Sequence, residues 1–331
     1  MKILVTGCAG FIGYHVCKRL VSEGHEVCGL DNMSSYYDVR LKEARLGELK
    51  EKVRFYKADI SDSCELQKIF SENKFDMVIH LAAMAGIRNS TIYPIEYIQT
   101  NIVGFSNVID LCRIHNVGRF IFASSSSVYG DGFHQMKVDS CTDKPKSVYA
   151  ATKKADELLA YSYSHLYGIK ATGLRFFTIY GEYGRPDMAY WKFTDCLLKN
   201  ESITFNNYGD IFRDFTYIGD LVERVSQIVS DDNVGLYKVY NIGSGNPICI
   251  TNFAYELFSQ MICLDMIERK ETFAFKLAPM PDGDAFKTYA DTSELEKDYG
   301  CKPITSLEVG LRNFLKWYKL YITDNGFNLK E

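Results

Sequence analysis

Short apolar runs alternate with longer amphipathic stretches through the first half of the chain. Lys2–Thr6 reads as a buried strand, Phe11–Glu23 as a helix, and Val27–Leu30 and Val53–Lys57 as the next two strands. Leu66–Glu72 has helical spacing and Met77–Leu81 is again strand-like. A helix covers about Asn101–Asn116, and Arg119–Ala123 makes a further strand. Continuous apolar strands separated by helices predict a parallel sheet covered on both faces, a doubly wound α/β fold. After about Thr178 the periodicity becomes mixed. Helical stretches at Trp191–Lys199 and Ile250–Met261 are joined by Gly- and Asn-rich turns, as in a smaller mixed α/β lobe. The expected division is a first domain over 1–178 and a lobe over 179–331, with segments near 214–243 returning to the first. The charge-rich stretch Lys42–Lys52 reads as a solvated helix face.

Composition narrows the function classes. The 331 residues are 47% hydrophobic and 24% charged, which excludes a disordered or fibrous chain. Lys plus Arg number 38 against 42 for Asp plus Glu, so no basic surface is expected for a nucleic acid. The ten cysteines are scattered, without C-x-x-C pairs or zinc spacing, so no metal site is expected. Met1–Gly7 runs straight into a strand and a glycine turn, so no signal peptide is expected. No apolar run is long enough for a membrane helix. The expectation is a soluble cytoplasmic protein with reduced, mostly buried thiols, acting on a small molecule.

Gly7-Cys8-Ala9-Gly10-Phe11-Ile12-Gly13 follows the first strand with G-x-x-G-x-x-G spacing. Gly7 permits a tight turn, Gly10 lets the backbone approach a pyrophosphate, and Gly13 lets the helix pack on the sheet. Phosphates would then sit at the helix N-terminus, where free amides and the dipole favour negative charge. Asp31, ending the second strand, suits adenosine ribose hydroxyls and disfavours a 2′-phosphate, which points to NAD over NADP. Asp59 and Ile60 suit the adenine edge, and Leu81-Ala82-Ala83 is small enough to pass beneath a dinucleotide. Each alone fits an ordinary cap or packing residue; together they trace a path in a Rossmann-like domain.

Tyr149-Ala150-Ala151-Thr152-Lys153 places a phenol and an ammonium on one helix face, where the cation favours the phenolate. The run Ser124-Ser125-Ser126-Ser127-Val128-Tyr129-Gly130 closes the preceding strand, and strand C-terminal ends are where such sheets carry chemistry.

With these motifs the chain resembles the extended short-chain dehydrogenase/reductase family over almost its whole length. The likeness runs through the glycine turn, Asp31, His80–Ala83, Asn101, the serine run, Tyr149 with Lys153, and Leu174–Phe177. It continues through Arg213–Ile218 and Tyr289–Asp291. Within that family, Ala85–Arg88, Arg175–Gly181 and above all Gly184-Arg185-Pro186-Asp187-Met188-Ala189 are similar to nucleotide-sugar 4-epimerases, those acting on UDP-glucuronate foremost.

The resemblance implies a chemistry. Tyr149 takes the proton from the sugar O4 while C4 gives a hydride to tightly held NAD, and the 4-keto sugar turns before the hydride returns to its other face. Ser125 shares the short hydrogen-bond path, with Ser126 a second candidate. Lys153 holds the nicotinamide ribose. The implied cofactor residues are Gly7, Gly10, Phe11, Ile12, Gly13, Asp31, Asn32, Asp59, Ile60, Leu81, Ala82, Ala83, Asn101 and Phe176, besides Tyr149 and Lys153. Arg88, Ser126, Ser127, Thr178, Arg185 and Arg213 are the implied sugar-nucleotide contacts, Arg185 as a bidentate clamp on a uronate carboxylate and Arg213 on the UDP phosphates. A homodimer is implied through Asn101–Asn116 and Val148–Tyr167, using Ile102, Val103, Val108, Ile109, Leu158 and Leu159.

The serine run also separates relatives. Sugar 4,6-dehydratases carry an Asp-Glu pair where Ser126 and Ser127 stand, and serines do no general acid–base work at neutral pH. Ser127 likewise weighs against a UDP-glucuronate decarboxylase. Gly219, where relatives have an acid, and Met280–Asp284, without the usual Gln or Arg, depart from the pattern at the nucleotide end. The aromatics Tyr190 and Trp191 read as lobe core. The competing readings are a 4-epimerase of a neutral UDP-hexose or UDP-N-acetylhexosamine, a one-way C4 oxidoreductase, and a non-catalytic NAD-binding regulator.

Overall fold

The apolar runs become seven parallel strands, and the helices between them cover both faces of one sheet. The computed structural model describes residues 1–130, 134–281, 283–300 and 305–324. In chain order the sheet's first half comprises β1 (Lys2–Thr6), α1 (Phe11–Ser22), β2 (Glu26–Asp31), α2 (Val39–Leu49), β3 (Val53–Lys57), α3 (Ser63–Glu72) and β4 (Met77–His80). Two short helices, α4 (Ile87–Ile92) and α5 (Pro94–Tyr97), lead through a π-helical stretch, Ile98–Gly104, into α6 (Phe105–Ile114). Then come β5 (Arg119–Ser125), α7 (Val148–Tyr167) and β6 (Lys170–Phe176). The helix expected over Asn101–Asn116 is therefore π-helical at its start, a local widening that hydrophobic spacing does not signal.

Beyond β6 lie β7 (Thr178–Tyr180), α8 (Ala189–Leu198), β8 (Ile203–Phe205), β9 (Phe212–Tyr217), α9 (Ile218–Ser230), β10 (Tyr237–Ile242) and β11 (Pro247–Cys249). The chain then adds α10 (Ile250–Cys263), β12 (Phe275–Leu277), α11 (Ser293–Tyr299) and α12 (Leu307–Asp324). The large sheet has the order β3-β2-β1-β4-β5-β6-β10. Chain progression reverses between β1 and β4, where Thr6 pairs with Leu30 on one side and His80 on the other. A ligand crevice opens at the carboxyl ends of strands at such a reversal.

Alternation along β1 divides the core. Ile3 and Val5 pack with Tyr14 and Cys17 of α1 and Leu221 and Val225 of α9. Leu4 turns to the opposite face, with Leu66 and Phe70 of α3 and Val108 and Ile109 of α6. Of the segments expected to return, β10 joins the large sheet beside β6 and α9 covers it. By contrast, β9 pairs with β7 and β11 in a small sheet of its own. A separate core gathers Tyr190, Trp191, Phe215, Phe253, Leu257 and Phe314, so the two aromatics after Arg185 are indeed core.

Three expectations are corrected. The face of α2 is not simply solvated: Leu41, Lys42, Arg45 and Leu49 form one buried stripe, and Arg45 is fully enclosed. Its guanidinium donates to the carbonyls of Ala9 (2.8 Å), Tyr183 and Gly184 and to the Tyr37 hydroxyl, so polar partners replace water. The thiols are also less buried than expected. Nine cysteines lie among the described residues, all free; Cys8, Cys17, Cys28 and Cys112 are buried, whereas Cys64, Cys141 and Cys263 are exposed. Cys301 lies outside the described residues. Finally, Val108 and Ile109 are fully buried within the subunit and cannot face a second copy. Among the described residues, no helix is long and apolar enough to cross a membrane, and no group of His, Cys, Asp and Glu is placed to hold a metal.

Candidate active site

The glycine turn is built by close approach. Gly7 has φ +73°, and a Cβ there would lie 2.8 Å from the Ala82 nitrogen. At Gly13 a Cβ would come within 2.1 Å of the Gly7 carbonyl oxygen, so any side chain would push α1 off the turn. Gly10 caps α1 with no side-chain hydrogen bond, leaving the first amides of the helix, at Phe11 and Ile12, open to an anion. Phe11 itself packs into the core. The Thr6 hydroxyl accepts from the Leu81 and Ala82 amides, both at 3.2 Å, which draws the Leu81-Ala82-Ala83 segment alongside the turn.

Asp31 is buried at the end of β2 and accepts from the Met33 amide at 2.8 Å. Its neighbour was not foreseen: the Lys42 ammonium sits 3.0 Å from the carboxylate. The Asn32 amide donates to Asp59 at 2.8 Å, and Ser61 donates to the same carboxylate, so the ends of β2 and β3 are tied together. Burial would push the Asp59 carboxyl up, but these donors hold it below its ordinary range. Ile60 packs against Gly104, where a Cβ would be 2.7 Å from its side chain. Asn101 brackets the backbone of Met84, accepting from its amide at 2.8 Å and donating to its carbonyl, and donates to the Thr152 hydroxyl. Its side chain is thus a strut between the π-helical stretch, the loop after β4 and α7. Phe176 is a core residue opposite Ser125 in the β5–β6 register.

Within the serine run the structure distinguishes the hydroxyls. Ser124 turns toward α7 and donates to Glu157 at 2.6 Å. Glu157 accepts in turn from Nε and Nη2 of the buried Arg175 guanidinium, at 2.7 and 2.8 Å. Ser125 faces the strand end, where it caps a 3-10 turn by accepting from the Ser127 amide (3.2 Å) and the Ser127 hydroxyl (2.9 Å). On α7, Ser147 caps the helix by accepting from the Ala150 amide at 3.1 Å. Tyr149, half-buried in the first turn, meets the ring of Tyr97 edge-on at 6.3 Å. Lys153 is buried, and its ammonium lies 3.2 Å from Asp156. Burial, with the Lys153 charge adding to it, pushes the His80 imidazole down to about 3, so His80 is neutral.

Tyr97 connects this group to the lobe. Its hydroxyl donates to the carbonyls of Ala85 and Gly86, and it lies within electrostatic reach of Tyr36, Arg185, Tyr149 and Asp187. The Arg185 guanidinium lies over the Tyr36 ring, 5.6 Å from its centroid. Tyr36, Tyr97, Tyr149 and Arg185 therefore line a single neighbourhood. Thr178, at the start of β7, is half-buried. Arg213 pairs with Asp284 at 2.6 Å, not with its sequence neighbours Asp210 and Asp214. Burial lowers its ordinary basicity, and exposed Arg88 is close enough to lower it further. Arg88 thus stands near an Arg213 that Asp284 already partners. Met280, Pro281, Gly283 and Asp284 are described, whereas Asp282 of that segment lies outside the described residues.

The model of the NAD dependent epimerase/dehydratase family matches residues 3–243. The chain belongs to that family. The protein named CapI from Staphylococcus aureus is 41% identical over 97% of this chain and 99% of its own. UDP-glucuronate 4-epimerase 2 from Arabidopsis thaliana is 39% identical over 98% of this chain and 77% of its own. UDP-glucuronic acid 4-epimerase from Bacillus cereus, solved with UDP-glucuronic acid and NAD, superposes with a TM-score of 0.87 at 30% identity, covering 97% of this chain and all of that one.

A family dependent on NAD needs a dinucleotide site, and the residues fit one. Three glycines that admit no side chain, uncapped helix amides and a buried acid at the end of β2 are the parts that would serve as the turn, the anion site and a ribose acceptor. For this member of the epimerase/dehydratase family, sequence reasoning missed Tyr36, Tyr97, Lys42, Arg45 and Asp156. Helical spacing with Leu41 and Leu49 was an available signal for Lys42 and Arg45, and the i+3 position from Lys153 for Asp156. Tyr36 and Tyr97 carried none.

Proposed function

We propose that the chain is an NAD-dependent 4-epimerase interconverting UDP-glucuronate and UDP-galacturonate. The observation that supports the reading is the guanidinium of Arg185 in the same neighbourhood as Tyr149, linked to it through Tyr36 and Tyr97. A uronate carboxylate calls for a planar cation there, and relatives acting on UDP-glucuronate match along the whole chain.

In this reading Tyr149 removes the O4 proton, and Lys153 supports the phenolate from the same helix face. Ser125 shares the proton path, with Ser126 and Ser127 near the sugar. NAD, when bound, accepts the C4 hydride and returns it to the opposite face, so no net oxidation occurs. Arg88 and Arg213 hold the diphosphate. Arg185, with Thr178 nearby, fixes the carboxylate plane; a 4-keto uronate is a β-keto acid, and keeping its C–C bond out of line with the ketone resists loss of CO2. Residues 1–178 serve the cofactor and 179–331 the sugar nucleotide, apart from β10 and α9, which complete the first unit.

The chain acts in the cytoplasm as a homodimer. Exposed Ile92, Ile95, Ile98, Val103, Leu158 and Tyr161, on or beside α4, α5 and α7, support a second copy at that face.

A neutral UDP-hexose is the second reading, favoured by the fact that Asp187 already engages the Arg185 fork. Purified protein given UDP-glucuronate or UDP-glucose, with C4 configuration followed by NMR, separates them. Faster turnover of UDP-glucose would discard the uronate assignment.

A further inference from the structure

The buried stripe of α7 continues past the pair expected to do chemistry. Tyr149, Lys153 and Asp156 stand at i, i+4 and i+7, so all three lie on one helix face. Asp156 is fully enclosed, and one of its oxygens meets the Lys153 ammonium at 3.2 Å. Its other oxygen is buried with no hydrogen-bond partner. A carboxylate in that setting costs more than a carboxylic acid, because an unpaired buried oxygen is charged on ionisation. The group is also not part of the neighbouring ion-pair network: Glu157, one residue on, points to Arg175 and Ser124.

We propose that Asp156 is a positioning residue for the reaction, holding the Lys153 ammonium from behind and setting how much of its charge is available to the Tyr149 phenolate. The inference rests on the reading of Tyr149 as the base. When Asp156 carries its proton, it only orients the ammonium, whose full charge favours the phenolate. Once ionised, it neutralises that charge and adds a negative charge two helical turns from Tyr149, so the phenol keeps its proton to higher pH. The charged and titratable groups around this triad are few. Lys153 faces Asp156, Glu157 adds a negative charge from the same helix but is matched by Arg175 of β6, Lys154 lies 3.9 Å from Glu157, the Tyr97 phenol of α5 meets Tyr149 edge-on, and His80 of β4 is neutral. Burial, opposed by Lys153, raises the Asp156 carboxyl to about 7, so the exchange falls within the neutral range.

Seven residues of helix separate Asp156 from Tyr149 by about 10 Å, and one charge at that distance in an effective dielectric of about 20 moves a titration by about one pH unit. Asp156→Asn and Asp156→Leu test this in the full-length protein loaded with NAD. The tyrosinate absorbance of each, measured against the same protein carrying Tyr149→Phe, reads the Tyr149 titration without any substrate. The acidic limb of kcat/KM with UDP-glucuronate reads it again during turnover. Both midpoints are expected about one unit lower in the variants, with NAD content retained. The leucine variant keeps the test open should the asparagine amide, equally short of partners, prevent folding. Titrations and pH profiles that coincide with wild type in a folded variant would overturn the proposal. Wild-type protein inactive on UDP-glucuronate would instead overturn the substrate reading, and the substrate-free titration would still decide the role of Asp156.

Discussion

Arg185 and Asp187 form a forked pair two residues apart, Nε to Oδ1 at 2.9 Å and Nη2 to Oδ2 at 2.5 Å. Tyr36 adds its hydroxyl to Asp187 at 3.3 Å and its ring beneath the guanidinium. Burial alone would push the Asp187 carboxyl up, but Arg185 outweighs it and holds the group below its ordinary range, so the pair stays ionised. The arginine is thus oriented before any sugar arrives, and a uronate carboxylate meets a competitor already in place. Removing Asp187 then has a defined direction. Asp187→Asn is expected to lower KM for UDP-glucuronate a few-fold, measured by initial rates at fixed NAD loading. A raised KM would show that orientation by Asp187 outweighs competition.

Removing Arg185 has the opposite direction and a selectivity. A hydrogen-bonded charge contributes about 1.5–3 kcal/mol, so Arg185→Ala is expected to reduce kcat/KM for UDP-glucuronate by roughly 10- to 150-fold. Any neutral UDP-hexose turnover should change little. An equal loss on both substrates would remove the carboxylate from the role of Arg185.

The glycine turn makes a prediction about the cofactor. A methyl at residue 13 collides with the Gly7 carbonyl at 2.1 Å, which is backbone and cannot step aside as a side chain would. Gly13→Ala is expected to purify without NAD and to melt below wild type. Wild-type NAD content in that variant, read from absorbance after denaturation, would refute the assigned pyrophosphate site.

Arg175 and Glu157 are both almost fully buried, and Ser124 hangs from the same carboxylate. Breaking such a pair from one side leaves an uncompensated charge and costs about 3–5 kcal/mol, whereas replacing both partners with apolar groups is much milder. Glu157→Gln is therefore expected to unfold at markedly lower denaturant concentration than wild type, with Glu157→Leu combined with Arg175→Met recovering much of the loss. A double variant no better than the single one would mean that packing, not charge, sets the cost.

What could be read from the chain follows the range of each interaction. Tyr149 with Lys153 and the three glycines were legible because helix periodicity and turn geometry act over a few residues. Lys42 and Arg45 were not, since charge on a helix ordinarily means water, and only the fold brings the Tyr183 carbonyl to Arg45. Arg213 finds its partner 71 residues away in Asp284, a pairing no local spacing encodes. Four consecutive serines hide their own register. Strand alternation separates two of them, sending Ser124 to α7 and Ser125 to the strand end.

Asp156 also makes stability depend on pH, apart from any chemistry. Its carboxyl, ordinarily near 3.8, is raised to about 7 by burial against the opposing pull of Lys153. The folded chain therefore binds this proton more tightly than the unfolded chain does. The resulting stabilisation is complete below about pH 4 and is lost progressively as pH rises to about 7, beyond which it changes no further. Asp156→Asn removes that dependence, and exchanging the buried acid for an amide adds an offset that does not change with pH. The difference in Tm between variant and wild type, not its absolute sign, carries the signal. It is expected to move in favour of the variant across this interval, read by thermal melts in matched buffers. A difference that stays flat over the same range would mean that the carboxyl titrates normally, with Lys153 compensating its burial.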